Sequence, residues 1–114
     1  MKLNASFNFE MGGKARTFNV DMNMFCEVEQ LLGVRVMQEN KEFWMGMGFI
    51  EMRALGYAML YAEEPRPSLI EVGSWMSKID LPEFSSTFTE IIQRDFVAGG
   101  NSEDDEESVD PTKD

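Results

Sequence analysis

A chain of 114 residues with 43% hydrophobic content is long enough for one compact core. Its formal net charge of -11, from 21 acids and 10 bases, excludes unaided attraction to DNA or to an anionic membrane surface. With no histidine and one cysteine, Cys26, the composition also excludes an intramolecular disulfide, a Cys/His metal site and any histidine-activated nucleophile.

Residues 3–9 (LNASFNF) alternate, placing Leu3, Ala5, Phe7 and Phe9 on one face. Residues 16–22 (RTFNVDM) alternate again, with Phe18, Val20 and Met22 together. The Gly12-Gly13 pair between them tolerates the positive φ of a tight turn, so a β-hairpin is expected over 3–22. Such a hairpin is marginal alone and needs helices against its apolar face.

Asp21 or Asn23 can cap the next element, a helix over 24–32. Its apolar residues Met24, Phe25, Val28, Leu31 and Leu32 fall within about 120° of a helical wheel. Gly33 stands where a helix C-terminus favours glycine, and Cys26 lies off the apolar arc with no base nearby to activate it. Residues 34–48 carry no clear period: Val34 to Met37 suits a short strand or a helical turn. Gly46-Met47-Gly48 separates this interval from a helix over 49–63.

The stretch 43–62, FWMGMGFIEMRALGYAMLYA, is apolar apart from Glu51 and Arg53. Each of those charges would cost about 2.5–3.5 kcal/mol at a bilayer centre, so the expected reading is a helix at the hub of a globular domain. Arg53 either pairs with Glu51 or Glu29 or extends its charge to the surface.

Glu63-Glu64-Pro65-Arg66-Pro67 ends that helix. Ser68 and Glu71 then fit a capping box, opening a helix over 69–78 with Leu69, Val72, Trp75 and Met76 on one face. Asp80 and Glu83 repeat the device for a helix over 82–97, which presents Leu81, Phe84, Phe88, Ile91 and Ile92. Gly99-Gly100 stops it. The apolar faces are expected to converge on the 49–63 hub. The fold class is therefore α+β: one domain over 1–98, with an N-terminal hairpin packed on a bundle of about four helices.

Residues 99–114 hold seven acids and one base, which leaves 14 acids and nine bases for the body. Val109 is their one large apolar residue, so this acidic tail is expected to be disordered. It reads as a solubility tail, or as a segment that repels like partners or occupies a basic site.

No catalytic, metal or cofactor constellation emerges, and the chain reads as a non-enzyme. Glu63-Glu64 and Asp80/Glu83 sit at helix ends, Tyr57 and Tyr61 suit packing, and both Gly-Gly pairs lack the Lys-Ser/Thr of a phosphate loop. What stands out is methionine, ten in all, with Met45, Met47 and Met52 beside aromatic residues. Pliable methionine side chains suit adaptable binding surfaces. The candidate partner-binding set is Phe43, Trp44, Met45, Met47, Phe49 and Met52, with an ordinary methionine-rich core as an equal alternative.

The order of parts adds a resemblance. TFNVDMNMFCEVEQLLG runs from an extended segment into a helix closing at glycine, EMRALGYAMLYA follows, and PSLIEVGSWMSKID leads to the last helix. Over roughly residues 1–97 this layout is similar to the tail assembly chaperones of long-tailed bacteriophages and related gene transfer agents. The resemblance implies a non-enzymatic protein that coats the tape measure protein until the tail tube polymerises around it. It implies action in the host cytoplasm during virion assembly, and absence from the mature virion. The tape measure protein is the implied partner, with the tail tube protein and self-association as further candidates, and neither nucleic acid nor membrane is expected. An acidic nucleic-acid mimic and a generic phage interaction module stay open as alternatives.

Overall fold

In the computed structural model, which describes residues 4–33, 35 and 47–97, the two alternating segments form an antiparallel hairpin. Strands β1 (Asn4–Met11) and β2 (Lys14–Asp21) pair with Ala5 opposite Val20, Phe7 opposite Phe18 and Phe9 opposite Arg16. Gly12 and Gly13 have φ of 67° and 90°, the left-handed values that a type I′ turn demands at both central positions. A Cβ at Gly12 would stand 2.6 Å from the Trp75 ring, so the turn also depends on glycine for close approach.

Helix α1 (Met22–Leu32) starts at Asp21, whose carboxylate accepts the Met24 N–H at 3.1 Å, and closes at left-handed Gly33. Met24, Phe25 and Val28 are buried. Two expectations fail here. Met22 is 59% exposed because the strand ends at Asp21, so its side chain follows the helical phase and not the pleat. Leu31 is 41% exposed, and it lies at the outer edge of the apolar arc centred on Val28.

Helix α2 (Phe49–Met59) is the hub, buried through Met52, Ala54, Leu55, Gly56, Ala58 and Met59, and packed on α1, on β2 and on the next helix. It ends four residues before the expected position 63. From Leu60 the chain tightens into successive i→i+3 turns: Leu60 N–H to Tyr57 O, Tyr61 N–H to Ala58 O and Glu63 N–H to Leu60 O. The tightening buries Leu60 completely and delivers Tyr61 and Glu63 to partners on the hairpin.

Helix α3 (Leu69–Met76) opens with the expected capping box, Ser68 Oγ accepting from Glu71 N–H and Glu71 Oε1 accepting from Ser68 N–H. Helix α4 (Leu81–Ile91) is capped by Asp80, which accepts the Glu83 N–H at 3.2 Å. The expected single helix to residue 97 instead widens into a π-helical segment, Ile92–Val97. The apolar series Phe84, Phe88, Ile91, Ile92 runs unbroken across the junction, so periodicity does not mark the change.

The principal seat of α4 is β1 and not the hub. Phe84, fully buried, meets Phe18 edge-on at 5.2 Å, Phe9 edge-on at 5.2 Å and Phe7 at 5.8 Å, while Phe7 stacks on Phe18 at 5.3 Å. These aromatic contacts supply the helical cover that the two-stranded hairpin lacks by itself. Residues 98–114, which include the acidic tail, lie outside the described residues, as does most of the 34–48 interval.

Candidate functional site

Polar clamps around Arg16, Arg66 and Tyr61 help to hold the hub in place. Arg16, on the inner face of β2, is 8% exposed; its Nε donates to Met11 O at 2.6 Å and its Nη1 to Glu63, while the guanidinium lies 4.1 Å from the centre of the Trp75 ring. Arg66 bridges α1 and α2, donating to both oxygens of Glu27 and to Tyr57 O, and lies 3.8 Å over the Tyr57 ring. Tyr61 donates its hydroxyl proton to Asp21, the same carboxylate that caps α1.

The Tyr61 hydrogen bond has a pH consequence. Asp21, as acceptor and as nearby negative charge, raises the Tyr61 pKa above its ordinary value. A raised folded-state pKa means that the stabilisation is fully present below the unfolded value of about 10, and is lost as pH rises through the folded value. Thermal melts of wild type and Tyr61→Phe should therefore differ at pH 8, and the gap should narrow as pH rises beyond about 10. A gap that stays constant across that range would contradict the assignment.

With the frame so fixed, α2 and α3 meet closely at Gly56, where an added Cβ would lie 3.2 Å from Met76 Sδ and 3.5 Å from Val72 Cγ1. Beside this contact lies a groove of about 540 Å³. Phe49, Ile50, Met52 and Arg53 line it from α2; Ile70, Gly73, Ser74 and Met76 line it from α3; Ser77 and Leu81 complete it. Phe49 is 84% exposed, Ile50 68% and Ile70 69%, whereas Met52 and Met76 are buried. Isolated exposed hydrophobic residues are common on protein surfaces. Here three border one concavity with a methionine floor.

Of the sequence-predicted residues, Phe49 and Met52 line this groove. Met47 is half-buried, packs against the core and does not line it. Phe43, Trp44 and Met45 lie outside the described residues. Sequence reasoning missed Ile50, Ile70, Met76 and Leu81 as groove residues. Ile70 carried a usable signal, since it is a large apolar side chain off the expected face of α3.

Arg53 takes part in none of the hydrogen bonds or ion pairs among the described residues. Glu51, one expected partner, instead accepts the Gly48 N–H at 2.8 Å and caps α2. The Arg53 stem lies along α3, with Cδ 3.0 Å from where a Cβ of residue 73 would stand.

A second depression, of about 790 Å³, lies between the hairpin turn and the start of α4. Glu10, Lys78, Asp80 and Glu83 are among the residues that line it, and Asp80 is engaged as the α4 cap. Among the described residues, no group of three His, Cys, Asp or Glu side chains is placed to hold a metal ion, and no helix is long and apolar enough to cross a membrane. Comparison with family models, with curated proteins and with solved structures yielded no match.

Proposed function

We propose that this chain is a non-enzymatic tail assembly chaperone, which holds apolar helical segments of a tape measure protein in the α2–α3 groove. The single observation that carries the reading is the exposure of Phe49, Ile50 and Ile70 around one concavity floored by Met52 and Met76. Burying a side chain of this size contributes about 1.5–3 kcal/mol, so three supply a gross driving force large enough to survive the costs of association. Thioether side chains in the floor adapt to different apolar surfaces, as a chaperone of a long and varied client requires.

On this reading the chain acts in the host cytoplasm while the tail is being built, leaves before the virion is complete, and hands its client to the tail tube protein. The net charge of -11 keeps the loaded complex dispersed. Co-expression with the tape measure protein tests the proposal. The soluble fraction of the client should rise several-fold when this chain is present; an unchanged fraction would end the chaperone reading.

A further inference from the structure

We infer that the groove selects apolar helices that carry a carboxylate beside their anchor residues, an inference that rests on the docking role proposed above. Arg53 is the one charged residue among the described residues that line the groove. It is half-buried, and none of the hydrogen bonds or ion pairs among the described residues involves it. The acid nearest in sequence, Glu51, is committed to the Gly48 N–H.

Gly73 makes this placement possible. A side chain there would meet the Arg53 stem at 3.0 Å, so glycine lets the arginine lie across α3 and carry its guanidinium along the groove. An occupant that covers Arg53 with apolar surface strips water from a cation and returns nothing, which opposes binding. A carboxylate at the same place accepts two parallel N–H bonds from the guanidinium fork. The occupant is helical because the groove runs between two helices, and a third helix seats its ridges in such a channel. A second copy is a poorer occupant: a two-fold contact brings Arg53 toward its own counterpart, and among the described residues no carboxylate lines the groove. The body's net negative charge opposes capture of an acidic peptide, so a preference for one must come from Arg53 itself.

Two fluorescein-labelled peptides of about 18 residues test this, long enough to hold a helix in water. Both carry leucines at i, i+4 and i+7, and they differ at i+3, where one has Glu and the other Lys. Anisotropy titrations with the full chain should show the Glu peptide binding about fivefold more tightly, the size expected for one partly shielded ion pair. Arg53→Glu should reverse the order, and Arg53→Gln should remove the preference; melting temperatures near wild type confirm that both variants fold. The wild-type gap should shrink in 0.5 M salt. Equal binding of the two peptides by wild type, or an unchanged order in Arg53→Glu, overturns the selectivity while leaving an apolar docking groove. Failure of both peptides to bind removes the docking role as well. Dimerisation in sedimentation equilibrium that is lost in Ile70→Ser would make a second copy the occupant, and overturns the inference.

Discussion

Replacing Phe84 with alanine is expected to cost about 3–5 kcal/mol of unfolding free energy. Phe84 is fully buried and touches three other phenylalanine rings, so the loss combines the transfer free energy of the ring with a cavity between α4 and the hairpin. Among the described residues the hairpin has no third strand to close the gap. Domains of this size hold about 5–15 kcal/mol in total, and each kcal/mol moves the melting temperature by about 4–8 °C. Urea unfolding followed by circular dichroism gives the value directly. Phe49→Ala is the matched control: the same residue type, 84% exposed, should change stability by no more than about 0.5 kcal/mol. Equal losses at the two positions would contradict the packing described.

The second large effect is at the Arg16 clamp. Glu63→Ala leaves a guanidinium that is 7% exposed without its carboxylate, and should cost about 3 kcal/mol. Combining it with Arg16→Met removes the stranded charge, so the double variant should be more stable than Glu63→Ala alone. It should not recover fully, because the Met11 carbonyl loses its buried donor. Strict additivity of the two substitutions in urea titrations would mean that the pair is not coupled.

Much of the fold was legible because local chemistry and global packing agree. The Gly12-Gly13 turn, the Asp21, Ser68 and Asp80 caps and the Gly33 terminus each rest on a short-range hydrogen bond or a φ value, which neighbouring residues suffice to specify. The misses are tertiary. Strict alternation places Arg16 on the same face as Phe18 and Val20, but a charge on an apolar face makes sense only once Glu63, the Met11 carbonyl and Trp75 are known to surround it. The early end of α2 has the same origin, since Tyr61 and Glu63 leave the helix to meet Asp21 and Arg16. For α4 the apolar face was visible, yet no periodicity says which neighbour it covers.

The groove was half legible for a related reason. Methionine and aromatic clustering drew the expected surface toward residues 43–52, and Phe49 and Met52 do line it. Its other wall comes from Ile70 and Met76, on a helix about 20 residues further along the chain. Only the close packing of α2 and α3 at Gly56 brings the two halves together.

The Ile50→Ser/Ile70→Ser variant offers the most direct measurement, scored by its melting temperature and by the soluble fraction of a co-expressed tape measure protein. Both residues are more than two-thirds exposed, so the variant should melt within a few degrees of wild type while leaving the client in the pellet. A client kept as soluble by the variant as by wild type would show that this groove is not where the chain does its work.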